Sequence, residues 1–269
     1  MIDAYHVYLN ASEVMLRRQT GWGRWRRVEE IARWQWDAGT PASLNFDALK
    51  LRKRRYATLY VHVGSALGKF MMLRLPSELQ GEQEERAAAE AQMQHQLGLN
   101  AGQWEFTLDH LPTRGKIVAC ALRADIGARL RQLANEHSLR LLSVRPYVAG
   151  VWNAMQLLRG PATLNGGRAV MMVERDAFTI VIEKEGKMDA MSTMIHRCET
   201  EVINREIRRM AYSLGEDAQR HVYLAVAGEL LPLAQLHADK VVRHEDFLQP
   251  NLYADFRDLL FHPPVQGMP

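Results

Sequence analysis

The chain has 269 residues, of which 47% are hydrophobic and 24% charged, a composition typical of a globular protein that buries a sizeable core. No stretch approaches the roughly 18 consecutive apolar residues of a membrane-spanning helix. The N-terminal MIDAYHVYLN is too short and too polar for the apolar core of a signal peptide. A net charge of +3 and two cysteines, Cys120 and Cys198, indicate neither an obligatory polyanionic partner nor a disulfide framework. We therefore expect a cytoplasmic protein.

The first part of the chain predicts an antiparallel meander of three strands. Apolar residues and turn signals place these strands at 4–9, 13–18 and 24–36. The turns between them are 10–12, which is Asn10-Ala11-Ser12, and 20–23, which is rich in glycine. A short helix is expected over 43–53, because a proline at position 41 can start it.

The pattern then changes to alternating strands and helices, which predicts a compact α/β subdomain over 56–146. One helix, at 81–98, is rich in strong helix formers and closes on Gly98. Another, at 125–137, places Ile126 and Leu130 on one face. The strands predicted around these helices are 56–64, 69–76, 104–112, 116–123 and 139–146.

A Gly/Pro/Asn-rich stretch, RGPATLNGG at 159–167, follows a predicted helix at 147–158 and indicates a boundary between two lobes. Beyond it we expect a β-hairpin whose turn is Glu174-Arg175-Asp176, a regular amphipathic helix at 199–214 and a buried strand at 221–228. The predicted fold is therefore a bilobal α/β protein with mixed sheets. Its predicted parts are a first lobe at 1–158 with the insertion at 56–146, a second lobe at 168–250, and a C-terminal helix and tail at 251–269.

Arginine and tryptophan interleave in the N-terminal meander. Of the 34 basic residues 27 are arginine, and arginine beside aromatic rings suits single-stranded nucleic acid or anionic lipid headgroups. A second basic run, KLRKRRY, follows at 50–56. The alternative is a two-faced strand whose arginines are solvated and partly offset by Glu29 and Glu30, and the period-two alternation of RWRRVEEIARWQW favours this alternative. The candidate interaction residues are Trp22, Arg24, Trp25 and Arg26.

The spacing of the tryptophans sets a geometric condition on this strand. Trp25 and Trp34 differ by an odd number of positions, so strand alternation puts them on opposite faces. Either a β-bulge changes the phase of the strand or one tryptophan is exposed. We predict that Trp22 or Trp25 is accessible at the surface and contributes to protein binding.

Two stretches of the chain share their layout with a known family. KFMMLRLPSELQGEQEERAAAEAQMQHQLGLNAGQWEFTLDHLP (69–112) has a strand that ends in Leu-Pro, a Glu/Gln-rich helix and an acidic strand. KIVACALRADIGARLRQLANEHSLRLLSVRPYVAGVWNAM (116–155) runs strand, helix, strand, helix. In this order they resemble the actin-like proteins, in the branch of the type IV pilus assembly protein PilM and the cytoplasmic domain of the type II secretion protein GspL. The resemblance covers about residues 4–250 and implies an actin-like bilobal fold with an inserted subdomain.

The resemblance also indicates where a nucleotide would bind. Actin-like ATPases hold phosphates on two hairpin turns that carry Asp-x-Gly, because glycine lets backbone N–H groups approach the phosphate and aspartate serves the magnesium ion. At these places the chain has residues 10–12 and 174–176, and its adenine-side turn, VAGEL, keeps a single glycine. The resemblance therefore implies a degraded nucleotide site, with no catalytic residue, no metal ligand and no cofactor. The degraded positions are Asn10, Ser12, Asp176 and Gly228.

Three functional hypotheses follow. The first is a non-enzymatic cytoplasmic scaffold of a type IV pilus or type II secretion assembly platform, a pseudo-ATPase held at the inner membrane through its partners. The resemblance implies that these partners are a short cytoplasmic segment of a membrane subunit or the assembly ATPase, with no nucleic acid. The second hypothesis is a nucleic-acid or anionic-surface binder that uses the arginine–tryptophan meander. The third is a nucleotide-binding switch with a non-standard pocket.

Overall fold

The computed structural model describes residues 4–20, 27–46, 57–79, 81–100, 102–111, 115–157, 167–184, 187–197, 199–214, 221–226, 238 and 240–243. Its helices and strands are β1 (Ala4–Leu9), β2 (Glu13–Thr20), β3 (Arg27–Gln35), β4 (Thr58–Val63), β5 (Gly68–Arg74), α1 (Glu82–Leu97), β6 (Trp104–His110), β7 (Lys116–Arg123), α2 (Ala124–Glu136), β8 (Arg140–Pro146), α3 (Tyr147–Leu157), β9 (Arg168–Val173), β10 (Ala177–Lys184), β11 (Lys187–Ile195), α4 (Thr200–Ser213), β12 (His221–Val226) and β13 (Lys240–Arg243). A 3-10 turn, Pro41–Ser43, lies between β3 and β4.

The first sheet has the strand order β3-β2-β1-β4-β8. Strands β1, β2 and β3 form the predicted antiparallel meander, whereas β4 lies parallel to both β1 and β8. Every residue of β1 is buried, as expected for a central strand that is covered on both faces. One face of β1 carries Tyr5, Val7 and Leu9, which share an apolar cluster with Ile126 and Leu130 of α2.

A register shift in the β2–β3 pair changes the phase of β3. Leu16 pairs with Ala32, but its neighbour Arg17 pairs with Glu30, so that Ile31 has no direct counterpart on β2. This shift is the bulge that the tryptophan spacing offered as one of its two alternatives. After the bulge Trp34 packs against the first core cluster. The predicted exposure of Trp22 or Trp25 lies outside the described residues.

The second sheet repeats the pairing pattern of the first. Its order is β11-β10-β9-β12-β13, with antiparallel β9–β10 and β10–β11 pairs and parallel β9–β12 and β12–β13 pairs. Helix α4 covers one face of this sheet with Ile203, Ile207 and Met210. Because β9 and β10 take the places of β1 and β2, the turn at 174–176 is the counterpart of the turn at 10–12.

The third sheet is a small antiparallel one, with the order β5-β7-β6, and α1 covers it with Ala89 and Met93. The sequence predicts that the inserted subdomain covers 56–146, so that its first and last strands belong to it. Strands β4 and β8 nevertheless belong to the first sheet, because the apolar run of β4 is buried as a central parallel strand. The bounds of the two lobes, at 1–158 and 168–250, remain predictions.

A central apolar cluster connects the three sheets. It contains Tyr8 of the first sheet, Val170 of the second and Phe70 of the third, together with Tyr147 and Trp152 of α3. The three sheets therefore share this central cluster in addition to the separate cluster that each forms with its own helix.

Most predicted elements agree with the structure to within a few residues; the helix predicted over 199–214, for example, is α4. Near the start of the helix predicted over 43–53 the structure has only the short 3-10 turn, and residues 47–53 lie outside the described ranges. The C-terminal helix and tail predicted for 251–269 lie outside them as well. No helix within the described ranges is long and apolar enough to cross a membrane.

Candidate functional site: the contact between two hairpin turns

The first hairpin turn, between β1 and β2, is closed by its own asparagine. The backbone N–H groups of Ser12 and Glu13 donate to Oδ1 of Asn10 at 2.9 and 2.6 Å. The indole N–H of Trp36 donates to the backbone oxygen of Asn10 at 2.7 Å. Such a side-chain-closed turn engages the amides that would otherwise point to a ligand. The backbone N–H groups of Ser12 and Glu13 therefore already have an acceptor inside the protein.

The second hairpin turn begins with a buried carboxylate, Glu174, which is only 1% exposed. The backbone N–H of Ser65 donates to its Oε2 at 2.8 Å, and the hydroxyl of Tyr8 donates to its Oε1. Tyr8 lies on β1, and Ser65 follows β4. The carboxylate therefore joins the hairpin of the second sheet to two strands of the first through charge-assisted hydrogen bonds, which are the stronger kind.

Burial controls the protonation of this pair. It raises the pKa of Glu174 above the ordinary carboxyl value, and the nearby charge of Asp176 acts in the same direction, while the hydrogen bonds from Ser65 and Tyr8 oppose it. Burial and the Glu174 carboxylate together hold the pKa of Tyr8 well above its usual value. Tyr8 is therefore a protonated hydroxyl donor at neutral pH.

Two further contacts join the turns at their rims. The hydroxyl of Ser12 donates to Oδ2 of Asp176 at 2.7 Å, and Nη1 of Arg175 lies 3.3 Å from Oε2 of Glu13. Hydrogen bonds of this length leave no room for another atom between donor and acceptor. We name these contacts the hairpin clamp. Its residues are Tyr8, Ser12, Glu13 and Ser65 on the side of the first sheet and Glu174, Arg175 and Asp176 on the other.

A glycine makes the close approach of Glu174 possible. A Cβ atom built on Gly64 would lie 2.5 Å from Oε1 of Glu174 and 3.2 Å from Cα of Asn10. Any larger residue at position 64 would therefore collide with the carboxylate. Ser65 is supported in turn, because the hydroxyl of Thr179 on β10 donates to its Oγ at 2.9 Å.

The structure brings some of the predicted site residues together. Ser12 and Asp176 are in direct contact, whereas Asn10 closes its own turn. Gly228 and the candidate interaction residues Trp22, Arg24, Trp25 and Arg26 lie outside the described residues.

The sequence gives no site prediction for Tyr8, Gly64 or Ser65, and it includes Glu174 only as part of the altered turn at 174–176. A signal was present, because Glu174 follows the apolar strand run RAVMMV directly and Gly64-Ser65 ends another apolar run. A carboxylate at the end of a buried strand requires hydrogen-bond donors near it.

Two arginines of the described meander, Arg18 and Arg33, are paired with acids. Arg18 lies 2.5 Å from Glu29, and Arg33 lies 2.9 Å from Glu30 and 3.1 Å from Glu13. These pairs are partly exposed and contribute little to stability. They do offset the positive charge of β2 and β3, as the two-faced-strand alternative expected.

Comparison with solved structures identifies the fold. A protein of unknown function from Bacteroides thetaiotaomicron, described as having an actin-like ATPase fold, matches with a TM-score of 0.61 at 15% identity over 91% of both chains. The protein has an actin-like fold. The prediction of this fold class is confirmed.

The two proteins of the predicted resemblance share the actin-like fold. A structure of the PilM–PilN type IV pilus biogenesis complex matches with a TM-score of 0.58 at 14% identity, over 90% of this chain and 89% of that one. The cytoplasmic domain of EpsL, an inner membrane component of the type II secretion system of Vibrio cholerae, matches with a TM-score of 0.56 at 9% identity, over 91% of this chain and 92% of that one. No family model and no curated protein sequence matches the chain.

Proposed function

We propose that this actin-like protein is a non-enzymatic scaffold of a bacterial type IV pilus or type II secretion assembly platform. It binds a short cytoplasmic segment of an inner-membrane subunit, or the assembly ATPase, and is located in the cytoplasm at the inner membrane. The likeness in fold to the PilM–PilN complex and to the EpsL cytoplasmic domain supports the proposal. Because fold alone does not fix function, the residues of the site must support the proposal as well.

The observation that carries the proposal is the hairpin clamp. The two turns that would hold phosphates in an actin-like ATPase contact each other through Ser12–Asp176 and Glu13–Arg175, and Glu174 also accepts a hydrogen bond from Ser65 after β4. A phosphate between the turns would have to break these hydrogen bonds and would meet two carboxylates. Repulsion between the phosphate and these carboxylates, in a partly buried site, disfavours phosphate binding strongly. The clamp thus gives the protein a closed arrangement that needs no nucleotide.

Isothermal titration calorimetry with ATP and magnesium tests the non-enzymatic part. We expect no binding tighter than about 1 mM and no release of phosphate. Micromolar affinity, about −8 kcal/mol, would contradict the proposal and would favour the nucleotide-binding switch. The Tyr8→Phe variant, which loses one clamp donor, provides a second measurement: ATP binding that appears only in this variant would indicate that the closed turns exclude the nucleotide.

Co-purification tests the scaffold part. The protein is expressed with the membrane subunits and the assembly ATPase of a pilus or secretion system from the same organism, and stoichiometric recovery of one of them is expected. Trp22→Ala and Trp25→Ala are predicted to weaken that recovery. Unchanged recovery, together with salt-sensitive binding of single-stranded DNA that these variants lose, would favour the nucleic-acid hypothesis.

A further inference from the structure

Helix α4 presents a basic and aromatic surface away from the second sheet. The buried side of the helix carries Ile203, Ile207 and Met210, which fix it on the core. The opposite side carries arginine and tyrosine, and Tyr212 is 87% exposed. We name this side the α4 face. Its residues are Arg205, Arg208, Arg209 and Tyr212.

The positive charge of the α4 face increases along the helix, because Glu201 shares a surface pocket with Arg205 and Arg208 at its start. Glu199 and Glu201 lie at the start of the helix, where negative charge suits the helix dipole. From position 202 to 214 the sole acidic residue is Glu206, which is 5% exposed and lies beneath the surface. The second half of α4 therefore presents positive charge to solvent.

The buried carboxylate of Glu206 lies close to two of the arginines. It lies 3.8 Å from Nε of Arg205 and 3.4 Å from Nη1 of Arg209, whose side chains are 65% and 74% exposed. Each guanidinium has five N–H donors, so both keep donors that point outward. Arg208 is exposed and has no ion pair with any described residue.

The chemistry of this surface fits carboxylates of a protein. Arginine forks bind carboxylates in pairs, and arginine and tyrosine are enriched among the residues that contribute most to protein interfaces. A bilayer fits less well, because Tyr212 is the single large apolar group that this half of the helix exposes.

We propose that the α4 face is a docking surface for an acidic segment of a protein partner, with Arg208 and Tyr212 as its principal contacts. The inference rests on the proposed scaffold function and adds the chemistry of a partner to it. The α4 face lies on the helix that covers the second sheet, and it shares no residue with the hairpin clamp.

Fluorescence anisotropy tests the docking surface with a labelled peptide of glutamates around a central leucine. Saturable binding that weakens with salt is expected, and Arg208→Glu and Tyr212→Ala should each weaken it about tenfold. Arg140→Glu, at an exposed position of β8, changes the net charge equally and is the matched control. A peptide with lysine in place of glutamate should not bind.

Three outcomes overturn the docking surface: no binding at about 1 mM peptide, equal loss in the Arg140→Glu control, or binding to phosphatidylglycerol vesicles without binding to the peptide. The calorimetry with ATP keeps the two proposals distinguishable. If the protein binds ATP and Arg208→Glu abolishes peptide binding, the scaffold proposal is contradicted and the docking surface is supported. A protein that binds neither contradicts the surface alone.

Discussion

Gly64→Ala should break the hairpin clamp from the side of the first sheet. The added methyl carbon would lie 2.5 Å from Oε1 of Glu174, whereas ordinary contacts of such atoms are 3.4–4 Å. The carboxylate must then retreat by about 1 Å, which displaces Oε1 from its hydrogen bond with Tyr8 and strains the bond that Oε2 accepts from Ser65. The retreat also leaves the charge buried with fewer donors.

The magnitude follows from these two effects. A hydrogen bond to a charged group contributes about 1.5–3 kcal/mol, and overpacking a buried site costs about 1–3 kcal/mol. Because the retreat relieves part of the overpacking, we expect Gly64→Ala to lower the free energy of unfolding by about 2–4 kcal/mol. The control is Gly150→Ala in α3, whose Cβ would have His62 Nδ1 at 3.8 Å as its nearest atom. That change should be neutral or stabilising by up to about 1 kcal/mol.

Denaturant unfolding of a double-mutant cycle provides the measurement. In a Glu174→Ala background the carboxylate is gone, so the added methyl group meets mainly Asn10, at 3.2 Å. Gly64→Ala should then cost less than about 1 kcal/mol, and the coupling between the two positions should reach about 2 kcal/mol. An equal cost of Gly64→Ala in both backgrounds would refute the argument that Gly64 exists to admit Glu174.

Three other changes give measurable expectations. Folding raises the pKa of Glu174 above the ordinary carboxyl value of 4.5, so protonation of Glu174 stabilises the folded protein fully below that value, and this stability is lost as pH rises through the folded pKa. Glu174→Gln should remove this pH dependence of the free energy of unfolding, and an unchanged pH profile would contradict the role of Glu174. Arg168→Ala removes the guanidinium that lies 2.6 Å from buried Glu183 and should cost about 3–5 kcal/mol, whereas Arg33→Ala at an exposed pair should cost under about 1 kcal/mol; similar losses for both would refute the role of burial. Leu130→Ala in α2, which is fully buried, should cost about 2–5 kcal/mol in the same unfolding assay, and a neutral effect would exclude it from the core.

The elements of the fold could be predicted because their signals are local. The apolar period of α4 and the apolar runs of β1 and β9 depend on residues close together in sequence. The place of β4 in the first sheet could not be read in the same way. Strand pairing depends on contacts across the chain, and an apolar strand fits the first or the third sheet equally well by composition.

The candidate site could be predicted only in part, because its turns are local in sequence and the contact between them is not. The altered turns at 10–12 and 174–176 are visible in the sequence, and Ser12 and Asp176 were selected from them. That these turns bind each other depends on Tyr8 and Glu174, which are 166 positions apart. A buried carboxylate and a buried hydroxyl become partners only when the two sheets pack together, and no local pattern encodes that contact.

The shared central cluster has a consequence for synthesis of the chain. Tyr8 and Tyr147 leave the ribosome well before Val170 and Val181, which pack in the same cluster. Until β9 and β10 are made, the first sheet and α3 display an apolar surface that binds chaperones or other nascent chains. The central cluster is therefore completed only with the second sheet, and a fragment cut at the glycine-rich connection would be prone to aggregate.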